Sequence, residues 1–210
     1  MGLQERREKE KDNRRSLILQ SARSLFLAKG VRNVTVDEIA KLSELGKGSI
    51  YLHFTSKEEI CAQILLNDID RFHQLACDLF NKKKTATDCL FEFSSLYIDS
   101  ALNEPELFRI LITFMLQNDQ INLSAEQNKN IIGAMRNTIN IIGNIFQFGV
   151  DTKEFPNTID IKISQFAVWG MLNGIITLHI FSGAESKRRG KIYSTIKAAL
   201  QVYIKGLQQG

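Results

Sequence analysis

Apolar residues recur along this chain of 210 residues at intervals of three to four positions, and alternating polar and apolar runs are few. This period predicts amphipathic α-helices, and we find no credible strand. Only 2 prolines and 13 glycines interrupt the pattern, so long helices are permitted. We therefore expect an all-α protein of about nine helices. Their expected ranges are 13–29, two short helices between 35 and 53, 57–84, 86–102, 105–118, 124–148, 160–182 and 191–208.

The segment from Thr35 to Lys57 has the pattern of a helix-turn-helix. Thr35 followed by Glu38 predicts a capping box, and Ser56 followed by Glu59 predicts a second one. Between these signals lie a short helix with an apolar side, a break at residues 43–46 and a second short helix at 47–53. The second helix carries Lys, Ser, Tyr and His side chains, which bond phosphate oxygens and base edges. The pattern therefore indicates a surface that touches DNA.

The charge distribution agrees with that interpretation. Residues 1–57 hold 12 Lys/Arg and 7 Asp/Glu, a net charge of +5, whereas the remaining 153 residues hold 15 and 16, a net charge of −1. A basic N-terminal quarter attracts phosphates, and a near-neutral remainder suits a core or a pocket. Within residues 4–15, acidic residues alternate with basic ones, which favours a solvated, ion-paired helix for that stretch.

Other composition signals exclude several classes. The three cysteines, Cys61, Cys77 and Cys89, form no CxxC pair, and no secretion signal precedes them, so we expect free thiols and a cytoplasmic protein. The histidines lack paired ligand spacing, which predicts no metal site. We find no phosphate loop and no GxSxG motif, so the sequence predicts neither an enzyme nor a cofactor.

The order of these elements, together with the residues GKGSIYLHFTSKEEI at positions 46–60, resembles the TetR family of bacterial one-component transcription regulators. The resemblance in detail covers residues 15–64. It implies a three-helix DNA-binding domain, residues 1–57, joined by its fourth helix to a helical domain, residues 58–210. In that family the second domain binds an effector and dimerises.

The resemblance also implies which residues meet DNA. They are Thr35, Lys47, Gly48, Ser49, Tyr51, Leu52, His53 and Lys57. Tyr51 is expected to clamp a phosphate, with a half-buried core ring as the alternative, and His53 is expected either to meet DNA or to pack locally. Thr35 and Lys57 stand at two other helix N-termini, which suit anions.

Two positions depart from the family pattern. Glu44 stands where the turn commonly has glycine, and Gly46 stands where the second helix commonly starts with a capping hydroxyl. A left-handed backbone at Glu44 costs on the order of 1–2 kcal/mol, so we expect a reshaped turn. Gly46 serves as a weaker cap.

Eleven of the 13 phenylalanines lie beyond residue 57, where aromatic side chains line either a core or an apolar pocket. Most of them are expected to be plain core. Candidate effector-binding residues are Tyr97, Phe114, Met115, Phe146, Trp169 and Asn173.

Residues 163–184 carry no Asp, Glu, Lys or Arg over 22 positions, which is long enough to span a membrane. Several polar side chains interrupt the stretch and no second span appears, so a buried helix is the better explanation. We expect this helix and the last one to form a four-helix dimer contact. The residues expected at that interface are Gly170, Gly174, Ile196, Leu200 and Tyr203.

The sequence thus predicts a homodimeric transcription regulator that represses from a palindromic operator and is released by a small, largely apolar effector. The alternative is a helical membrane-associated or protein-interaction protein without operator binding.

Overall fold

The computed structural model describes residues 2–81, 85–116, 123–180 and 185–209. Across these ranges the protein is all-α, with nine α-helices, one short 3-10 helix at Val31–Asn33 and no strand. The helices are α1 Leu3–Lys29, α2 Val36–Leu42, α3 Lys47–Tyr51, α4 Lys57–Phe80, α5 Ala86–Asn103, α6 Pro105–Leu116, α7 Ala125–Asp151, α8 Ile161–Ile180 and α9 Glu185–Gln209. The predicted fold class is confirmed.

Two helices begin earlier than their apolar pattern predicts. α1 starts at Leu3 instead of residue 13, and α9 starts at Glu185 instead of residue 191. At the start of α1 the Gly2 amide donates to the Glu5 carboxylate at 2.8 Å. This bond satisfies one of the backbone amides at the helix start that have no partner within the helix. The predicted ends of α4, α6 and α8 at residues 84, 118 and 182 lie outside the described ranges.

The chain forms two compact units. The first comprises Met1–Asp68 and Glu106–Ile131, and the second comprises Ile69–Pro105 and Ile132–Gly210. Helix α4 contributes its first half to one unit and its second half to the other.

The first unit packs the helix-turn-helix on α1. Ile50 and Phe54 are buried with Phe26, Ile39 and Ala40, as the sequence predicts. Helix α1 contacts α2, and α2 contacts α3. Because Ile50 is the one buried residue of α3 and Phe54 follows it by four positions, these two side chains fix the angle of the helix.

Polar contacts tie α1 to α4 inside this unit. Nη1 of Arg23 donates to both carboxylate oxygens of Asp68, at 2.9 and 3.0 Å, and both side chains are half-buried. Arg15 donates to Gln63 at 2.6 Å, and its guanidinium lies 4.5 Å from the centre of the Phe54 ring. The position of α4 is therefore coupled to the helices that carry the predicted reading surface.

In the second unit, α9 contacts α8 and α5, and α5 also contacts α8. The loop after α7 closes on the start of α5, where the Glu154 carboxylate accepts the amides of Ala86 and Thr87 at 2.6 and 2.9 Å. A carboxylate at this end satisfies amides that have no partner within the helix and complements the helix dipole. The Phe155 ring lies so close to Gly149 that a Cβ there would stand 2.2 Å from it.

Helix α8 is long and apolar enough to cross a membrane, and among the described residues it is the one helix of that kind. One face of it is buried in the protein, from Ser164 and Gln165 to Ile180. A core helix of a protein without any membrane span passes the same test of length and composition, so this feature alone is weak evidence for a membrane.

Candidate nucleic-acid interface

The first capping box forms as predicted and fixes the start of α2. The Thr35 hydroxyl accepts the Glu38 amide at 3.2 Å, and the Glu38 carboxylate accepts the Thr35 amide at 2.8 Å. Lys29 adds an ion pair to the same carboxylate at 2.7 Å. The hydrogen bonds from Lys29 and from Thr35 lower the pKa of Glu38 to about 2. Thr35 itself is exposed, and its hydroxyl also donates to Glu38 at 3.0 Å.

The turn between α2 and α3 keeps the left-handed geometry that glycine would adopt. Glu44 has φ of 55°, so the expectation of a reshaped turn is wrong. Two hydrogen bonds hold it: the Leu45 amide donates to the Ala40 carbonyl at 3.0 Å, and the buried Ser43 hydroxyl donates to the Ile39 carbonyl at 2.8 Å. The surrounding bonds thus stabilise a conformation that is unfavourable for glutamate.

Gly46 precedes α3 as its N-cap residue and, as expected, provides no side-chain cap; its backbone is extended, at φ −69° and ψ 147°. Its carbonyl accepts the Ser49 amide at 2.8 Å, which closes the first turn. Helix α3 ends at Tyr51, two residues before the predicted end, so Leu52 and His53 belong to the turn that follows.

The outward face of α3 carries the residues expected to meet DNA. Lys47 and Gly48 are exposed, Ser49 is half-buried, Tyr51 is 49% exposed and Leu52 is 81% exposed. About half of the Tyr51 residue surface is therefore accessible, which disfavours a pure core role. A Cβ at Gly48 would meet nothing within 4 Å, so this glycine is not required by contacts within the protein.

Lys47 forms an ion pair that sequence reasoning missed. Its Nζ lies 2.9 Å from a carboxylate oxygen of Asp37, in the first turn of α2, and both side chains are exposed. The Asp37 carboxylate raises the pKa of Lys47. The ten-residue separation of the two residues gives no periodic signal, so only the packing of α2 beside α3 reveals it.

His53 is half-buried just beyond α3, and its Nδ1 atom has no hydrogen-bond partner among the described residues. Burial, followed by the charges of Lys11, Arg15 and Arg14, lowers the pKa of this imidazole. A neutral imidazole is therefore favoured, held close to several cations.

The second predicted cap, before α4, forms with a changed pairing. The Ser56 hydroxyl accepts the Glu59 amide at 3.0 Å, but the Glu59 carboxylate accepts the amide and hydroxyl of Thr55, at 2.5 and 2.6 Å. Lys57, the first residue of α4, is half-buried.

Three of the candidate effector residues meet in the second unit. The Tyr97 hydroxyl donates to Oδ1 of Asn173 at 2.8 Å, and the centres of the Tyr97 and Trp169 rings are 4.9 Å apart. Asn173 donates in turn to the Trp169 carbonyl at 2.8 Å. The Trp169 indole N–H is buried and has no acceptor among the described residues. Burial raises the pKa of Tyr97, so its hydroxyl stays protonated.

The other candidate effector residues lie elsewhere. Phe146 is buried in the second unit against the rings of Phe155 and Tyr203. Phe114 and Met115 belong to α6 in the first unit, where Phe114 is buried and Met115 is half-buried. The sequence does not show which of these residues lie together, because all of them are aromatic or apolar residues on helices.

The five residues predicted at the dimer interface differ in how far they are exposed. Gly170 and Gly174 are exposed on α8, with nothing within 4 Å of an added Cβ, and Tyr203 is half-buried. Ile196 and Leu200 are 1% and 0% exposed, so their assignment to a surface between subunits is wrong. The apolar stripe of α9 that contains them is covered within the protomer, where α9 contacts α5 and α8.

Comparison with known proteins identifies this arrangement. Residues 18–64 match the family model described as bacterial regulatory proteins, tetR family. The chain is 23% identical over 165 residues to a fatty acid metabolism regulator protein of Bacillus subtilis, covering 79% of this chain and 82% of that one. It is also 23% identical over 158 residues to the HTH-type transcriptional repressor KstR2 of Rhodococcus jostii, covering 73% and 74%.

A solved structure shares the fold. The transcriptional regulator FadR from Bacillus subtilis, in complex with stearoyl-CoA, superposes with a TM-score of 0.73 at 20% identity, over 91% of this chain and 98% of that one. The matched proteins are regulators and not enzymes. Residues 18–64, which contain the capped helix-turn-helix, therefore match the TetR family of bacterial regulatory proteins, and the all-helical fold is shared with a solved transcriptional regulator.

Proposed function

We propose that the protein is a cytoplasmic homodimeric repressor that binds a palindromic operator and is released by a small, largely apolar effector. Residues 1–57 would bind DNA, and residues 58–210 would bind the effector and dimerise. The observation that carries the proposal is the outward face of α3, where Lys47, Ser49 and Tyr51 extend from a helix anchored by Ile50. A helix held in this way suits the major groove, with its side chains at base edges and phosphates.

The outer faces of α8 and α9 support a dimer. Ile163, Phe166 and Leu178 on α8 are 67%, 53% and 72% exposed, and Val202 on α9 is 73% exposed. Exposed apolar residues grouped on neighbouring helices favour an interface. Gly170 and Gly174 leave room for the close approach of a partner helix. We therefore place the second copy on this outer face, which a twofold axis would pair with itself.

The effector would bind beside Tyr97, Trp169 and Asn173. Trp169 supplies a buried indole N–H that lacks an acceptor, and a buried donor of this kind is stabilised by an acceptor on a ligand. The surrounding rings of Tyr97, Phe72 and Phe93 provide apolar contact. An apolar chain with a carbonyl group fits this combination, and the stearoyl-CoA bound to the Bacillus subtilis FadR structure supports an acyl compound.

Release would require that the effector binds better to a state that does not fit the operator. Helix α4 is the element that we propose to carry the change. Its Asp68 and Gln63 are bonded to Arg23 and Arg15 of α1, and Arg15 also covers Phe54 beside α3. A displacement of α4 would therefore move the reading surface with it.

The proposal is tested by selecting a preferred duplex from random-sequence DNA with the full-length protein. We expect a palindromic site, a mass of two protomers on that site, and loss of the complex when long-chain acyl compounds are added. The absence of any preferred sequence would overturn operator binding and favour the interaction-protein alternative. If the protein binds the operator but no acyl chain or acyl-CoA ester in a panel releases it, only the proposed class of effector is overturned.

A Trp169→Phe substitution tests the effector contact. It removes the indole N–H and part of a buried ring system while retaining a six-membered aromatic ring, so we expect the unfolding free energy of the free protein to fall by only about 1–2 kcal/mol. The concentration of acyl compound needed for release should rise about fivefold to tenfold, since a hydrogen bond contributes roughly 1 kcal/mol. The matched control is Trp169→Leu, which also loses the ring and should destabilise the free protein more.

A further inference from the structure

The N-terminal extension of α1 brings basic side chains to the C-terminal end of α3, which we call the reading helix because it is the helix proposed to contact the bases. Arg7, Lys11 and Arg14 recur at intervals of four and three residues, so they share one face of α1. Together with Glu10, Leu52 and His53 they line a surface pocket of about 300 Å³. Leu52 and His53 directly follow α3, so this pocket is continuous with the proposed DNA-contacting face.

The charge in this pocket is not neutralised by its own acidic residue. Glu10 pairs with Arg14 at 2.5 Å, which leaves the charges of Arg7 and Lys11 in excess within the pocket lining. His53 lies in the same pocket, where burial first, and then the nearby charges of Lys11, Arg15 and Arg14, lower the pKa of its imidazole. An anion placed here would relieve repulsion among cations that the folded protein holds together.

The opposite face of α1 has a different character. Lys9 lies about 200° around the helix from Arg7, and Asp12 about 140°. Neither residue lines the pocket. A solvated, ion-paired helix accounts for the alternation of charge around α1, but it does not account for three cations meeting the turn after α3.

We infer that Arg7, Lys11 and Arg14, here called the basic cluster, bind a backbone phosphate of operator DNA beside the reading helix. This inference rests on the proposed operator binding. Guanidinium groups match phosphate oxygens in a bidentate geometry, and lysine adds a point charge. The contact would carry no base information, but it would fix the register of α3 on the duplex.

The experiment compares charge changes on the two faces of α1. The affinity of the full-length protein for its selected duplex is measured against salt concentration for wild type, Lys11→Gln/Arg14→Gln and the control Lys9→Gln. One lost phosphate contact per protomer is two per dimer, so the slope of log K against log salt should fall by at least about 1.8 in magnitude. If the affinities of wild type and of the double variant coincide at 1 M salt, this difference in slope corresponds to about 60-fold weaker binding by the variant at 0.1 M salt.

A second pair of variants tests for the opposite effect, an increase in affinity for the duplex. Glu10→Gln removes the acidic group from the pocket and should tighten binding at low salt, while Asp12→Asn on the other face should change it much less. Circular dichroism of each variant establishes that α1 remains helical.

The outcomes separate the two proposals. If wild type binds its duplex and the basic-cluster variant matches Lys9→Gln, the cluster contact is wrong while operator binding stands. If wild type selects no sequence, operator binding fails and the cluster inference fails with it.

Discussion

The two compact units of this protein are stabilised in different ways. In the first unit, directional polar contacts such as the Thr35–Glu38 box and the Arg23–Asp68 pair supplement the apolar packing of α2 and α3 on α1. In the second unit, long helices pack through apolar side chains, with polar contacts at a few points such as Glu154 on the start of α5. In the first unit, directional bonds fix the helix ends beside the proposed DNA-contacting face, whereas the unit proposed to bind the effector relies mainly on apolar packing.

The largest expected effect concerns the core beneath the reading helix. Phe54→Ala should lower the free energy of unfolding by about 3–5 kcal/mol, because it removes a ring that is 2% exposed and leaves a cavity. Urea denaturation measures this change. The control is Leu52→Ala, two residues away but 81% exposed, which should change stability by less than about 0.5 kcal/mol. Equal losses in the two variants would contradict the assignment of an inward and an outward side.

The next effect separates binding from folding in the first unit. Tyr51→Ala should weaken operator binding by roughly 10-fold to 100-fold, equivalent to about 1–3 kcal/mol, and leave the unfolding transition nearly unchanged. Gel-shift titration and thermal unfolding provide the two measurements. Tyr51→Phe shows how much of the loss belongs to the hydroxyl. A normal affinity for the alanine variant would rule out the phosphate-clamp role.

A smaller effect tests whether the second unit depends on its polar contacts. Glu154→Gln should reduce the free energy of unfolding by about 1–2 kcal/mol, since the charge that accepts two amides at the start of α5 is lost. Thermal unfolding monitors it. The control is Glu126→Gln in the exposed first turn of α7, for which we expect a smaller change. If both variants behave alike, the Glu154 contact contributes nothing beyond a general charge effect.

The smallest effect concerns the turn before α3. Glu44→Gly should stabilise the protein by about 0.5–1 kcal/mol, because glycine adopts the observed φ of 55° without strain but loses more entropy on folding. Glu44→Ala retains the strain and should bring no gain. Chemical denaturation of both variants decides the matter, and stabilisation by alanine alone would contradict the strain argument.

The sequence predicts the first unit well because its signals are local. Thr35 and Glu38 form their box because they stand three positions apart, and Ile50 and Phe54 turn inward, as their apolar character and four-residue spacing predict. The early start of α1 is missed because residues 3–12 have no apolar period and become helical by extension of the core helix that follows.

Contacts between distant segments are where sequence reasoning reaches its limit. The stripe containing Ile196 and Leu200 is recognisable as apolar, but the pattern does not say whether the same chain or a second copy covers it. Glu154 contacts the start of α5 at Ala86, from which it is separated by 68 residues in sequence, and no spacing rule predicts a contact at that distance. Apart from Asn173, the candidate effector residues likewise share one apolar and aromatic character, although within the described ranges only Tyr97, Trp169 and Asn173 are joined to one another by hydrogen bonds and a ring contact.

The shortness of α3 has a consequence for engineering and for evolutionary change. The helix has five residues, and only Ile50 among them is buried. The residues of α3 that we propose to contact DNA are therefore separate from the buried residue that anchors the helix. We expect that substitutions at Lys47, Ser49 and Tyr51 can be combined in a library to search for new operators with little loss of stability, because the buried anchor Ile50 is unchanged.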